Sequence, residues 1–174
     1  MRYAQILPFD VCNGEGVGVS LFVQGCEFRC PGCFNKEAWD FEGGKEWTLE
    51  VEQQFFDLIS KPYIKRVTIL GGEPLAPQNV ETVVYILKKI MALFPKKQVW
   101  LYTGFTWEEL FSEDMADKMK KQVLAASLCD VLVDGRYVHA LKELNLKWKG
   151  SSNQRVIDVP TTLKNKIVTL YCED

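Results

Sequence analysis

Three of the six cysteines in this 174-residue chain are close together, and their spacing indicates a metal site. Cys26, Cys30 and Cys33 are separated by three and two residues. Three thiolates in a short loop can hold an iron–sulfur cluster or a zinc ion. A structural zinc site has four ligands, usually as two distant pairs, and here only His139 or Cys172 would supply the fourth. Three cysteines on a four-iron cluster leave one iron open, and an open position is where a metal site does chemistry.

The cysteine loop follows one of several apolar segments that predict buried strands. These segments lie at residues 17–23, 66–70, 98–102 and 130–133, with weaker ones at 154–159 and 166–171. Helical periodicity predicts helices at residues 48–59, 80–94 and 107–127, the last broken near Ser112. Thr48 and Asn79 stand at the starts of the first two helices as N-cap residues.

Because strands and helices alternate, the sequence predicts an α/β fold with a mostly parallel sheet. Reactive groups in such sheets lie at the carboxyl ends of the strands. The cysteine loop, the Gly71-Gly72-Glu73-Pro74 turn and the Thr103-Gly104 turn each follow a predicted strand. We therefore expect the three segments to form one site.

Composition limits the classes of protein to consider. Lys and Arg number 21 against 23 Asp and Glu, and 47% of the residues are apolar, as in an ordinary globular domain. A net charge of −2 gives no reason to expect nucleic-acid or membrane-surface binding. No apolar run reaches the roughly 18 residues of a membrane helix, and the first residues lack the apolar stretch of a signal peptide. We expect a single domain, residues 1–174, in the cytoplasm.

The two motifs together resemble those of the radical S-adenosylmethionine superfamily, with Cys-x3-Cys-x2-Cys after the first strand and Gly-Gly-Glu-Pro after the second. More narrowly, the chain resembles the activating enzymes of anaerobic (class III) ribonucleotide reductases. That resemblance extends from about residue 5 to residue 160. It is carried by four segments: 32–35 (GCFN), 102–105 (YTGF), 130–137 (DVLVDGRY) and 150–155 (GSSNQR). The superfamily often has an aromatic residue before the third cysteine, whereas Gly32 stands here and the aromatic residue is Phe34.

The resemblance implies a fold and an activity. The fold would be an incomplete (βα) barrel of the radical-SAM type with outer helices, since 174 residues are too few for the roughly 250 of a complete barrel. Cys26, Cys30 and Cys33 would be the catalytic metal ligands, holding a 4Fe-4S cluster with one open iron that chelates S-adenosyl-L-methionine. One electron, from a donor such as a flavodoxin, would cleave the cofactor to methionine and a 5′-deoxyadenosyl radical. That radical would take a hydrogen atom from a glycine of the large anaerobic ribonucleotide reductase subunit, leaving a glycyl radical.

The resemblance also implies contacts to the cofactor. Glycines allow close approach of the backbone, so the amides of the Gly71-Gly72-Glu73 turn can meet the carboxylate of the cofactor, and Glu73 can accept a hydrogen bond from its amino group. Asp134 would bind ribose hydroxyls or a cation, and Arg136 the cofactor carboxylate; the alternative is an Asp-Gly turn closed by a surface ion pair. The full set of implied cofactor contacts is Gly32, Cys33, Phe34, Gly71, Gly72, Glu73, Thr103, Asp134 and Arg136.

Other functions remain open at this stage. The chain would also suit another small radical enzyme, such as a relative of pyruvate formate-lyase activase or a small-molecule synthase. An iron–sulfur electron carrier is less well matched, because its closed cluster needs a fourth cysteine at the expected spacing. Of the scattered cysteines, Cys129 and Cys12 are interpreted as core thiols, with a redox or supporting role near the cluster as the alternative for Cys12, and Cys172 is left without a role. The basic run at residues 142–149 is interpreted as a rim loop that helps to dock the partner protein.

Overall fold

The computed structural model describes residues 1–172, except the side chains of Met115 and Ala116, and builds them around one sheet. Within that part of the chain seven strands are hydrogen-bonded in the order β3-β1-β2-β4-β5-β6-β7. The strands are β1 (Arg2–Asp10), β2 (Gly18–Val23), β3 (Lys45–Glu46), β4 (Arg66–Gly71), β5 (Gln98–Tyr102), β6 (Val131–Asp134) and β7 (Arg155–Asp158). Strands β2, β4, β5 and β6 are parallel, and β1, β3 and β7 join antiparallel at the two sides. The predicted α/β fold with a mostly parallel sheet is confirmed.

Helices lie between the strands. They are α1 (Leu49–Ile59), α2 (Val80–Leu93), α3 (Trp107–Phe111), α4 (Glu113–Ala116), α5 (Lys120–Ser127) and α6 (Val159–Asn165), with 3-10 turns at Lys36–Ala38 and His139–Leu141. Thr48 caps α1 as predicted, since its side chain accepts a hydrogen bond from the Val51 N–H. Asn79 does not cap α2 with its side chain, which instead donates to the carbonyls of Gln24 and Glu73. None of the described helices is both long enough and apolar enough to span a bilayer.

One face of the sheet carries the main hydrophobic core. Strand residues such as Leu21, Ile69 and Leu101 are fully buried there. Phe55 of α1 and Ile86 of α2 belong to the same cluster, which also takes in α5. Because side chains alternate along a strand, the residues between these point to the opposite face, which carries charged as well as apolar side chains.

A buried ion pair lies on that opposite face of the sheet, at the beginning of β4. Arg66 in β4 is fully buried and lies 3.4 Å from the carboxylate of Asp10. It donates to the carbonyls of Asn13 (2.7 Å) and Asp10 (2.9 Å) and to the hydroxyl of Thr68. Burial opposes ionisation of Asp10, but hydrogen bonds led by that from Ser20 still lower the pKa of Asp10 below its usual value. These contacts hold residues 10–16 against this face of the sheet.

Candidate functional site

A cavity of about 340 Å³ lies at the carboxyl ends of β2, β4, β5 and β6. Parallel strands end at the same edge of a sheet, so the loops that follow them meet there. Most of the residues that the sequence assigns to the site line this cavity: Cys26, Cys30, Cys33, Phe34, Gly71, Gly72, Glu73, Thr103 and Arg136. Gly32 and Asp134 are not among the lining residues.

The cysteine loop is closed at its base by backbone hydrogen bonds. The Gly25 N–H donates to the Ala38 carbonyl (2.8 Å), and the Cys26 N–H donates to the Trp39 carbonyl (3.1 Å). Within the loop, the Cys33 N–H donates to the Cys30 carbonyl (3.1 Å), which makes a tight turn between the last two cysteines. The loop is thereby folded back on itself with its three thiols at one cavity.

Three thiols in one loop are suitable ligands for an iron–sulfur cluster. Among residues 1–172, no three His, Cys, Asp or Glu side chains are gathered closely enough to hold one ion. In a four-iron cluster each thiolate binds its own iron, so the three cysteines need not converge on one point. Burial raises the pKa of Cys26 to about 11 and also raises the pKa of Cys30, so these two groups are thiols at neutral pH until iron displaces their protons.

Glu73 places a buried carboxyl group on the cavity wall. Its side chain is 1% exposed. Oε1 accepts hydrogen bonds from the Leu75 N–H (2.8 Å) and the Thr103 hydroxyl (2.8 Å), and Oε2 accepts one from the Gly104 N–H (2.7 Å). Burial outweighs these contacts and raises the pKa of Glu73 to about 7. An ionised carboxylate has about four acceptor positions, so one position on Oε2 is left for a ligand.

The glycines before Glu73 bring two loops together. The Gly72 N–H donates to the Val23 carbonyl (2.8 Å) and the Glu73 N–H to the Gly25 carbonyl (2.7 Å). A Cβ on Gly72 would lie 2.3 Å from the Gly25 carbonyl oxygen. In this structure the two amides therefore bind the carbonyls at the base of the cysteine loop, and the expected contact of this turn with a ligand carboxylate stays a prediction.

Phe28 attaches the cysteine loop to the turn after β5. Its ring lies edge-on to Phe105, with 4.8 Å between centroids. A Cβ on Gly104 would be 2.4 Å from the Phe28 ring, so glycine is required for this approach. The guanidinium of Arg136 lies 4.5 Å from the ring centroid on the cavity wall and forms an ion pair with Glu109 (2.9 Å). The sequence offered no role for Phe28, because its partners are distant along the chain.

Asp134 makes its hydrogen bonds within the protein, and the predicted ligand contact stays a prediction. Its carboxylate is 1% exposed and outside the cavity lining. It accepts hydrogen bonds from Arg155 (2.5 Å and 3.1 Å) and from the Trp107 N–H (2.7 Å). The sequence offered two alternatives for Asp134, a ligand contact and a surface ion pair, and the structure shows an ion pair. The pair is formed with Arg155, and its Asp134 carboxylate is buried.

We expect Asp134→Asn to lower the free energy of unfolding by about 1–2 kcal/mol, because it weakens two charge-assisted hydrogen bonds while Arg155 keeps Glu108 as a second partner. Urea denaturation measures this change. Glu108→Gln is the matched control on the same arginine, and its exposed ion pair should contribute less than about 1 kcal/mol. Loss of S-adenosylmethionine binding in Asp134→Asn, with stability unchanged, would instead support the ligand role.

Two features favour glycine at position 32: its backbone conformation and the close approach of a neighbouring side chain. Its φ is +74°, in the left-handed region. A Cβ there would lie 2.6 Å from Nδ1 of His139, which itself lies 3.1 Å from the Tyr137 hydroxyl. His139 therefore occupies the space beside the position where the superfamily often has an aromatic side chain.

Gly32→Ala should lower the free energy of unfolding of the metal-free protein by about 1–2 kcal/mol through the left-handed backbone, with a further loss from the His139 contact. Adding His139→Ala to this variant should remove the loss caused by the His139 contact and leave the loss caused by the backbone. Urea denaturation of Gly32→Ala, of His139→Ala and of the double variant measures the two losses separately. An unchanged stability of Gly32→Ala would contradict the left-handed turn.

Gln154 is a further site residue whose role the sequence did not reveal, although its segment carried part of the resemblance. It accepts hydrogen bonds from the Gly150 N–H (2.9 Å) and the Ser151 N–H (3.2 Å), and donates to the Gly135 carbonyl (2.9 Å). The side chain thus joins two loops of the cavity wall. Phe34 lines the mouth of the cavity and is 85% exposed.

Comparison with known proteins agrees with this site. Residues 12–157 match the family described as a 4Fe-4S single cluster domain. The anaerobic ribonucleoside-triphosphate reductase-activating protein of Escherichia coli K12 is 40% identical over 158 residues, covering 90% of this chain and 97% of that protein. The proteins of the same name from Enterobacteria phage T4 and Haemophilus influenzae are 37% and 38% identical over 156 residues, covering 90% and 88% of this chain and 93% and 96% of their own lengths. The chain therefore belongs to the family of anaerobic ribonucleoside-triphosphate reductase-activating proteins and contains an iron–sulfur cluster domain.

Proposed function

We propose that this chain is a radical S-adenosylmethionine activase that generates a glycyl radical on the large subunit of an anaerobic ribonucleotide reductase. The observation that carries the proposal is the meeting of Cys26, Cys30 and Cys33 with Glu73 at one cavity, in a chain of this family. Three thiols suit a 4Fe-4S cluster with one open iron. The cavity leaves room beside them for a second ligand.

The residues have distinct roles in this proposal. Cys26, Cys30 and Cys33 would hold a 4Fe-4S cluster with one iron left open for S-adenosylmethionine. When bound and reduced, the cluster would supply the electron for reductive cleavage of that cofactor, the chemistry that removal of a glycine hydrogen atom requires. Glu73 orients the amino group through its remaining acceptor position. Thr103 fixes the Glu73 carboxylate by donating a hydrogen bond to Oε1.

The walls of the cavity protect the reaction from water and from other hydrogen donors. Phe28 and Arg136 line the side next to β5, and Gln154 joins Gly135 to Gly150 in the cavity wall. Phe34 contacts the adenine of the cofactor in this proposal, which its position in the cavity lining supports. We assign Gly32 an indirect part, since it shapes the loop that presents Cys30 and Cys33.

We also propose that residues 1–174 form a single domain with an incomplete (βα) barrel. Its support is the sheet itself, whose outer strands β3 and β7 are not joined to each other and whose central strands are parallel. The open side would admit the glycine-bearing loop of the reductase. A flavodoxin is our candidate electron donor. A cytoplasmic location agrees with six free cysteines, which are typical of a reducing compartment.

Electron paramagnetic resonance on anaerobically reconstituted, reduced protein tests this function. We expect a four-iron signal that changes when S-adenosylmethionine is added, together with 5′-deoxyadenosine in the same tubes. Adding the anaerobic ribonucleotide reductase of the same organism should then produce a glycyl radical signal. Cofactor cleavage without a glycyl radical would favour another radical enzyme, and a cluster indifferent to the cofactor would favour an electron carrier.

A further inference from the structure

The sulfur atoms of the three clustered cysteines accept hydrogen bonds from the main chain. The Asn35 N–H donates to Sγ of Cys33 (3.4 Å). Cys26 accepts such bonds from the main chain two and three residues further on. Those donors belong to the cysteine loop itself, whereas Cys30 accepts its bond from the main chain of Tyr137, more than a hundred residues away in the sequence. The contact to Cys30 therefore depends on the tertiary structure.

The main chain of Tyr137 meets Cys30 from the loop that follows β6. Burial raises the pKa of Cys30, and the hydrogen bond from Tyr137 is the strongest of the contacts that oppose this increase. Both residues line the cavity. Two residues after Tyr137, the His139 ring lies against Gly32 of the cysteine loop. The two loops are thus in contact at two places.

Asn153 binds the peptide group that carries this N–H. The Arg136 carbonyl and the Tyr137 N–H belong to one planar trans peptide, so they point in opposite directions. The side-chain amide of Asn153 donates to the Arg136 carbonyl (2.9 Å). This bond orients the peptide plane, and it also polarises the peptide group, which strengthens its N–H as a donor on the opposite side.

The residues on both sides of this peptide are held by the same segment of the chain. Gln154 donates to the Gly135 carbonyl (2.9 Å), and the Ser151 hydroxyl accepts from the Val138 N–H (3.1 Å). Asn153 therefore acts on the middle of a loop whose two ends are already fixed. Its side chain is outside the cavity lining, so it influences the cysteine loop through this peptide group.

We propose that Asn153 raises the reduction potential of the iron–sulfur cluster by holding the Tyr137 N–H on the sulfur of Cys30. Reduction adds one electron from the donor to the cluster, and the added negative charge is shared with the cysteine sulfurs. An N–H aimed at a sulfur stabilises the reduced form more than the oxidised form, so the potential becomes less negative. Asn153 is a positioning residue, since it acts through the peptide group. The inference rests on the proposed three-cysteine ligand set.

Asn153→Ala tests the inference. Electron paramagnetic resonance of reconstituted protein, titrated with dithionite in the absence of S-adenosylmethionine, measures the ratio of reduced to oxidised cluster at each potential. At a fixed potential we expect this ratio to fall about threefold, as for the weakening of one hydrogen bond, with the midpoint at a more negative value. Iron and sulfide content should equal those of the wild-type protein.

Ser152→Ala is the matched control. Ser152 is the exposed neighbour of Asn153, and its hydroxyl donates to the Leu141 carbonyl (3.4 Å) and not to the loop at residues 135–138. This variant should have the wild-type midpoint potential.

A second pair of variants tests the N–H itself. Tyr137→Pro removes both the N–H and the ring, whereas Tyr137→Ala removes the ring alone. The midpoint potential should be more negative in Tyr137→Pro than in Tyr137→Ala.

Two outcomes would overturn the inference and leave the proposed function intact. A wild-type midpoint in Asn153→Ala, or equal midpoints in Tyr137→Pro and Tyr137→Ala, would show that this amide does not control the potential. Reduced iron content in Asn153→Ala, with an unchanged midpoint in the cluster that remains, would show a purely structural role. If the wild-type protein holds no four-iron cluster, or Cys30→Ala holds one with the wild-type midpoint, the ligand set fails, and the inference fails with it.

Discussion

Alanine in place of Cys26, Cys30 or Cys33 is expected to abolish S-adenosylmethionine cleavage. Each of the three thiols lines the same cavity, and a cluster that needs one iron open for the cofactor has no spare protein ligand. Removing one thiol leaves a second iron without a protein ligand, so the cluster is lost or loses its reactive geometry. Iron and sulfide content after reconstitution, with 5′-deoxyadenosine formation under reducing conditions, measures the effect.

Cys12→Ala is the sharpest control for this prediction, because Cys12 lines the same cavity but is outside the three-cysteine loop. It should retain iron and cofactor cleavage, as should Cys172→Ala. If Cys12→Ala or Cys172→Ala cannot hold the cluster, the assignment of an open iron is wrong. A variant of Cys26, Cys30 or Cys33 that cleaves the cofactor at the wild-type rate would contradict the proposed ligand set.

Glu73→Ala should weaken S-adenosylmethionine binding by about tenfold to a hundredfold, the usual effect of losing a hydrogen bond to a charged group. The side chain keeps one acceptor position on Oε2, which in our proposal receives the amino group of the cofactor. Isothermal titration of the reconstituted, oxidised protein measures the affinity. Glu52→Ala is a matched control, since Glu52 is also buried and bonded to three side chains, but lies outside the cavity lining.

The same interaction should depend on pH. The pKa of Glu73 is raised to about 7, so the ionised form that has the free acceptor position increases as pH rises through that value. Affinity for the cofactor should therefore be higher at pH 8 than at pH 6, and this difference should disappear in Glu73→Ala. The stability of the metal-free protein changes in the opposite direction: the protonated form is favoured by burial, so this contribution is complete below pH 4.5 and is lost as pH rises through about 7. An affinity that does not change with pH would exclude a role for the ionised carboxylate.

The central strands could be predicted from sequence because their apolar runs are continuous. The strand at residues 98–102 coincides with β5, and the segment at 17–23 begins one residue before β2. Both strands are covered on both faces, so nearly every residue in them is apolar. The helix expected at 107–127 forms three short helices, with Ser112 in an extended conformation after the first.

The strands at the edges of the sheet were harder to predict from the sequence. Strand β1 was missed, since Arg2–Asp10 is partly exposed, contains Pro8 and has no regular alternation. The strand expected at residues 166–171 is wrong. There the chain makes a left-handed turn at Lys166 after α6, Ile167 is 72% exposed, and only Leu170 forms a bridge, to Ile157. Apolar composition alone could not distinguish this surface segment from a strand.

The site divides in the same way, according to whether its parts are contiguous in the chain. The cysteines and Gly71 to Glu73 are short motifs, so their chemistry is legible in the sequence. The partner of Asp134 is 21 residues away, and the pair formed by Gly32 and His139 spans more than a hundred residues. The buried hydroxyl of Tyr102 in β5, which has no hydrogen-bond partner among the described residues, likewise depends on its surroundings in three dimensions. No local pattern could have indicated these features.

The order of strands in the sheet has a consequence for how the protein is made. From β1 through β2, β4, β5, β6 and β7, neighbours in space are also successive along the chain, with the short β3 as the exception. The sheet can therefore grow strand by strand as the chain leaves the ribosome. Gln154, which joins two loops of the cavity wall, follows the cysteine loop by more than a hundred residues and emerges well after it. The nascent chain thus exposes its thiols well before they are enclosed, and cluster insertion after release would meet a finished pocket that protects the metal from oxidants.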